Sequence, residues 1–299
     1  MKKIFFSLVA LITTVCASAQ VVEVYENGTL TATYTNTTST KYKVIFKEAS
    51  DEPVATEPQA GDNVVGTTTI NGTTYTKAVG GTVADYVDLG IKDSNGKAVL
   101  WATHNLGASK PEEYGAYIAW GENGTAEEGY SSGVKTAGYS WSKLHYCTGT
   151  NYKGPFDKYV ASSTYGTVDD IYTLESEDDA ATVNWGSSWR TPSYTEWIAL
   201  TNTSNFTWTY DSTNRGFNVT SKISGYEGNS IFLPEAGSRE DSTLGNAGTY
   251  ACYWSSTLYS SKSCYAYGCK FYDSSSSLRY YNNESYRYNG FSIRPVRSE

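Results

Sequence analysis

Residues 250–296 read YACYWSSTLYSSKSCYAYGCKFYDSSSSLRYYNNESYRYNGFSIRPV. Apolar residues punctuate the stretch at strand-like spacing, and it closes on Asn289-Gly290-Phe291. The segments 250–259 and 263–272 are expected to form a hairpin turning at Ser260-Ser261, which sets Cys252 opposite Cys269. Tyr offers large amphipathic contact area at low entropic cost, and Ser and Asn offer adaptable hydrogen bonding. Held on an ordered scaffold, such a tract is the chemistry of a binding surface. The same residue types also occupy the plain solvent face of antiparallel strands.

Alternation assigns the faces. With Tyr267, Cys269 and Phe271 inward, Gly268, Lys270 and Tyr272 point outward on one strand. With Leu278 inward, Arg279, Tyr281 and Asn283 point outward on the next. Asp273, Ser285, Tyr286 and Tyr288 complete the candidate ligand contacts. The expected mechanism is aromatic burial with a polar rim and Arg279 as an anchor.

The chain opens with a basic pair, Lys2-Lys3, an apolar run over 4–15 and the A-x-A site Ala17-Ser18-Ala19, the pattern of a cleaved export signal. The mature chain is expected to begin at Gln20 and to act in the periplasm, on the cell surface or outside the cell. Cys16 lacks the small residue usual ahead of a lipidated cysteine. No later segment has the length and apolarity of a membrane helix. Removing Lys2 and Lys3 takes Lys+Arg from 23 to 21 against 31 Asp+Glu, a net charge of −10. Nucleic acid is therefore excluded as a partner, because phosphate binding needs clustered Lys and Arg. Cys147, Cys252, Cys264 and Cys269 remain in the mature chain, an even number that makes disulfides an expectation in an oxidising compartment, with the pairing open.

Residues 20–48 read as a small β module, with Asn27-Gly28 as a tight-turn signal and a further strand over 41–46. Residues 49–63 are acidic, carry Pro53 and Pro58, and read as a linker. A hairpin follows at 64–83 around Asn71-Gly72. From 84 to 299 the texture is α+β, with two short helices and many short antiparallel strands. Helix starts are expected at Ser109-x-x-Glu112 and Ser193-x-x-Glu196, both capping boxes. Strands are expected at 86–89, 99–102, 116–120, 206–210, 216–219 and 230–233, with long polar loops over 123–182.

The series Tyr86-Val87-Asp88-Leu89-Gly90, Leu100-Trp101-Ala102-Thr103, Asn105-Leu106-Gly107-Ala108 and Ala119-Trp120-Gly121-Glu122 resembles the opening of the Fibrobacter succinogenes major paralogous domain family. Trp189-Arg190-x-Pro192-Ser193-x-x-Glu196-Trp197, Tyr253-Trp254-Ser255-Ser256-Thr257 and Asn289-Gly290-Phe291-Ser292-Ile293-Arg294-Pro295-Val296 extend the resemblance across 85–297. It implies a C-type-lectin-like fold, related to sulfatase-modifying factors and to the variable proteins of diversity-generating retroelements. In those variable proteins the strands just ahead of the terminal Gly-Phe segment present the ligand-binding face. Adenine-directed mutagenesis of Asn codons yields a restricted residue set, and between Ser263 and Asn289 only Lys270 and Glu284 fall outside it. The N-terminal unit resembles a β module of exported Bacteroidetes proteins.

Other chemistries leave weaker traces. The Glu-Pro-Asn or Gln-Pro-Asp calcium motif of sugar-binding lectins is missing, and the acidic clusters Asp169-Asp170 and 175–179 read as solvated loops, so neither a metal nor a cofactor is expected. Formylglycine-generating relatives bind copper through a cysteine pair. Here Cys264 and Cys269 stand an odd number of residues apart and fall on opposite strand faces. His104 and His145 have no accompanying nucleophile motif, so no catalytic residue is assigned. Trp101, Trp120, Trp189, Trp197 and Trp254 read as core, and Trp208 as half-buried strand. The expectation is an exported, non-enzymatic adhesin-like protein that binds a protein or glycan on another surface. A structural or pilus-associated subunit, assembled through the β module, is the alternative.

Overall fold

The computed structural model describes the backbone of Gln20–Glu26, Thr29–Asn36 and residues 57–299 apart from 275 and 276, with side chains for 57–272 and 284–299. The chain divides into two compact units, Met1–Thr56 and Glu57–Glu299. In the first, β1 (Gln20–Glu26) pairs antiparallel with β2 (Thr29–Asn36) around the Asn27-Gly28 position, with a register irregularity after Val24. The strand expected over 41–46 lies outside the described residues, as do linker residues 49–56. Residues 57–63 belong to the second unit, where the Gly61 amide donates to the Val83 carbonyl and Val64 is buried.

The second unit is α+β and mainly β. A hairpin of β3 (Thr67–Ile70) and β4 (Thr73–Thr76) turns at Asn71-Gly72, both at positive φ, as the turn chemistry demands. Next come β5 (Tyr86–Lys92), β6 (Ala98–Ala102), and the two-residue strands β7 (Tyr130–Ser131) and β8 (Val134–Lys135). After helices α1 (Ala180–Trp185) and α2 (Tyr194–Leu200) lie β9 (Phe206–Asp211), β10 (Gly216–Ser221), β11 (Ser230–Pro234), β12 (Ser238–Glu240) and β13 (Thr243–Gly245). The chain ends with β14 (Ala251–Leu258), β15 (Tyr265–Ser274), β16 (Ser277–Tyr286) and β17 (Val296–Ser298). The larger sheets run β11-β10-β9, β14-β15-β16 and β17-β6-β5. The final strand β17 returns to pair with the early strand β6. Among the described residues no helix is long and apolar enough to cross a membrane.

Two hydrophobic cores flank the β14-β15-β16 sheet. Cys252, Trp254, Leu258, Cys264 and Ala266 enter one, with Trp120, Phe156 and Phe291. Ala251, Tyr253, Cys269 and Phe271 enter the other, with Trp101, Trp197 and Phe217. A sheet covered on both faces buries successive residues, and β14 is buried at every position except Thr257. Arg294 stitches this centre to the opening strands. It is fully buried, and its guanidinium donates to Asn105 Oδ1 (2.9 Å) and to the carbonyls of Ala102 (3.0 Å) and Phe232 (2.7 Å).

The α2 capping box forms as expected. Ser193 Oγ accepts from the Glu196 amide, Glu196 accepts from the Ser193 amide, and Glu196 also holds Arg190 at 2.6 and 2.8 Å. The expected helix at Ser109 does not form. There the Ser109 amide donates to Glu113 (2.7 Å) across a turn, and Gly115 at positive φ ends any helical run. The second helix is α1 instead, capped by Asp179, which accepts from the amides of Ala181 and Thr191. Of the strand expected over 116–120, only a bridge from Ile118 to Phe291 exists.

Candidate binding face

The hairpin register decides which candidate residues meet. Gly268 stands opposite Asn283, Lys270 opposite Tyr281, Tyr272 opposite Arg279, and Asp273 opposite Leu278. The first three pairs belong to one side of the ribbon, as alternation requires. The side chains of Asp273, Arg279, Tyr281 and Asn283 lie outside the described residues. Lys270 and Tyr272 are half-buried. The Lys270 ammonium sits 5.2 Å from the Phe291 ring centre, and Tyr272 packs on Tyr250 at 4.4 Å.

Two outward assignments need correction. Gly268 is buried: a Cβ there would lie 2.9 Å from the Tyr253 carbonyl and in contact with Trp254 and Phe291. Ser285, opposite Ala266, is buried too, and its hydroxyl has no hydrogen-bond partner. Both sit on the stretch of the sheet that a core covers from that side, so alternation marked a face that is not solvent.

The opposite side of the same stretch is open. Tyr265 and Tyr286, a cross-strand pair, stack at 4.6 Å, and Tyr286 stacks on Tyr288 at 5.7 Å. Trp141 meets Tyr286 and Tyr288 edge-on, at 5.3 and 4.7 Å. From Tyr265 the series runs through Tyr259 (6.3 Å) to Tyr267 (5.2 Å), which stacks on Tyr194 at 4.0 Å. Every ring in this ribbon is half-buried. Tyr267, expected inward, is one of them. The hydrogen bond with Tyr286 raises the Tyr265 phenol pKa, and burial with the Glu240 contact raises that of Tyr288, so both stay neutral and keep their hydroxyl protons.

The ribbon rests on a rigid base. Between Tyr286 and Tyr288, Arg287 turns fully inward, its guanidinium 5.0 Å from the Trp120 and Phe156 rings and 5.6 Å from Tyr159. Nη1 donates to the carbonyls of Ser263 (3.1 Å), Lys158 and Tyr159, while Nε and Nη2 have no partner. Burial pulls its pKa down to about 10, which leaves it a cation at neutral pH. Gly290 is required for space, because a Cβ there would lie 2.5 Å from the buried Tyr139 ring.

The acidic stretch 175–179 is not a solvated loop. Asp178 and Asp179 are buried, and Asp178 accepts from the hydroxyls of Tyr146 (2.7 Å) and Tyr159 (2.5 Å). Lys158 supplies the cation, 2.6 Å from Asp178 and Glu175 and 3.4 Å from Glu177. Burial opposes its charge, but these carboxylates outweigh burial and raise its pKa. A second buried set joins Glu122 to Lys135 (2.5 Å) and Tyr130 (2.6 Å), with Glu128 beside it.

Cys147, Cys252, Cys264 and Cys269 are all free and buried, which corrects the expected disulfides. Cys252 faces Lys270 and Tyr253 faces Cys269, a one-residue slip from the expected register that sends the two thiols into different cores. Burial raises all four thiol pKa values, that of Cys252 to about 11, so the thiolate needed for nucleophilic or metal chemistry is disfavoured. His104 packs edge-on against Trp185 at 5.6 Å, and burial lowers its pKa. Among the described residues, two open clefts lie next to residues of the ribbon, one beside Phe156, which meets Trp141 at 5.9 Å, and one beside Ser193 and Thr195, which flank Tyr194. The first, of about 490 Å³, is lined by Phe156, Asp157 and Tyr165, and the second, of about 560 Å³, by Asp93, Arg190 and Glu196.

Sequence reasoning missed Trp141, Tyr194, Tyr259 and Tyr265 as members of the face. Tyr265 was recoverable from the hairpin register, whereas Trp141, in a short helical turn, and Tyr194, at the start of α2, arrive from segments distant in sequence. No protein-family model, no curated protein and no solved structure matches the chain.

Proposed function

We propose that this chain is an exported, non-catalytic recognition protein of the C-type-lectin-like class, which holds its ligand on the aromatic ribbon of the β15–β16 hairpin. The observation that carries the reading is the ribbon itself: half-buried rings from separate segments, mutually stacked, on a hairpin anchored by Arg287. Rigid aromatic side chains presented at a surface supply binding energy with little ordering cost. The pairing of the last strand with the early strand β6, the short antiparallel strands and the two short helices support the lectin-like class. Raised thiol pKa values and buried histidine disfavour an enzymatic role, including copper-dependent oxidation. Lys270 and Tyr272, with Arg279, Tyr281, Asn283 and Asp273, extend the surface toward the hairpin tip.

The test is a binding screen of immobilised protein against peptide and glycan panels, run beside the double variant Tyr265→Ala/Tyr286→Ala. Binding by the parent that the variant loses, while the variant still unfolds in one cooperative transition, supports the reading. Equal binding by both refutes it.

A second reading has one observation in its favour. Among the described residues the β1–β2 unit is a two-stranded sheet, marginal by itself and suited to pairing with a partner's sheet edge in a cell-surface assembly. Deleting 20–56 separates the two: lost assembly with intact ligand binding assigns that region the structural role.

A further inference from the structure

The charges around the ribbon name a class of partner, an inference that rests on the binding reading above. Glu284, exposed on β16 opposite Tyr267, borders one part of the ribbon. Glu240 and Asp241, both exposed, border the other, where Tyr288 donates its hydroxyl to Glu240 at 2.5 Å. The two exposed lysines nearby are Lys262, 5.8 Å from the Tyr265 ring centre, and Lys143, which follows Trp141 in a short helical turn. Lys262 demonstrates that a cation seats on this stack.

The stack also limits what else fits. Tyr286 stacks on both Tyr265 and Tyr288, Tyr267 stacks on Tyr194, and the Lys262 ammonium sits over the Tyr265 ring, so the ring faces of the stack are largely taken up by neighbours. A neutral sugar needs an open ring face to stack on. An acidic segment would bring its carboxylates against Glu240, Asp241 and Glu284. Guanidinium and ammonium groups are donors only, carboxylates are acceptors only, and a phenol that gives its proton to a carboxylate, as Tyr288 does to Glu240, keeps its oxygen free to accept. Arg adds a planar fork that grips a carboxylate and lies flat on aromatic carbon. The net charge of −8 on the whole chain draws a basic partner in at long range.

We propose that the ribbon is read by a basic segment of another polypeptide, whose Arg and Lys side chains lie across the phenol edges between Glu284 and the Glu240-Asp241 pair. The test is a fluorescence-anisotropy titration of the full chain with labelled Arg-Ser repeat peptide, Glu-Ser repeat peptide and a neutral oligosaccharide, at low and raised salt. The expected result is selective binding of the Arg-Ser peptide, weakened by salt. Glu240→Gln/Glu284→Gln, which alters exposed groups only, is expected to weaken it by roughly threefold to tenfold. Tyr265→Ala/Tyr286→Ala is expected to weaken it by roughly tenfold or more. Arg-Ser binding that ignores the glutamate pair overturns the proposal, since only overall charge would then be at work. Ribbon-dependent binding of the oligosaccharide or the Glu-Ser peptide in its place overturns the partner class and leaves the binding reading standing. If no probe responds to the tyrosine pair, both fail.

Discussion

Tyr265 and Tyr267 share a face of β15 with Cys269 and Phe271, yet the two pairs meet opposite fates. Phe271 is fully buried against Trp208 (5.0 Å), Phe217 (5.5 Å) and Tyr253 (5.7 Å). Tyr265 and Tyr267 stay half-buried and touch mainly other rings. The β9–β10 hairpin and α2 cover one half of the strand and stop at Tyr194, which stacks on Tyr267. Side-chain parity therefore fixes the face of a strand. What lies over that face decides whether a residue becomes core or contact surface.

The sharpest contrast is in stability. Phe271→Ala should cost about 3–5 kcal/mol through lost burial and a cavity, read from denaturant unfolding. Tyr265→Ala should cost about 1 kcal/mol or less, because its cross-strand and stacking contacts lie at the surface. Similar losses at both positions would erase the distinction between the halves. Gly290→Ala falls between them, at roughly 1–3 kcal/mol, because the added methyl must displace Tyr139 beneath the ribbon. Its expected signature is a lower melting temperature together with altered ribbon binding.

Glu128 yields a smaller, pH-dependent effect. Burial and the neighbouring Glu122 raise its pKa, with the Asn123 amide and Lys135 pulling the other way, and Asp178, His145 and Tyr146 near it. A raised folded-state pKa means that the neutral form is favoured on folding. The contribution is therefore present below the unfolded glutamate value of about 4.3 and lost as pH rises through the folded value. Glu128→Gln should melt above the parent at neutral pH, and the gap should close as pH falls toward that lower bound. A gap that widens on acidification would contradict this assignment. The least effect is expected from Tyr267→Phe, which keeps the stacking ring on Tyr194 and should leave melting unchanged within about 0.5 kcal/mol.

Much of the fold was legible because local chemistry specified it. Asn71-Gly72 forced a hairpin, Ser193 and Glu196 closed a cap, and apolar runs such as Val99–Trp101 became strands. Ser109-x-x-Glu112 carried the same cap letters without an apolar helix face behind them, and Gly115 ended the run. Helix α1 was hidden because its signal, Asp179 before Ala180-Ala181, sits inside an acidic stretch that reads as loop. The candidate face was legible in composition but only partly in position. Gly268 and Ser285 were assigned outward because alternation assumes one wet face, and this sheet has a core on each side. The reach of Trp141 and Tyr194 into the ribbon follows from tertiary folding alone, which no local pattern encodes.

The most direct test of the covered and open halves is hydroxyl-radical footprinting of the free protein, read residue by residue by mass spectrometry. Tyr265, Tyr267, Tyr286, Tyr288 and Trp141 should oxidise much faster than Tyr253, Tyr159 and Trp254. Equal protection of the two sets would mean that the ribbon is interior packing, and the recognition account would then be wrong.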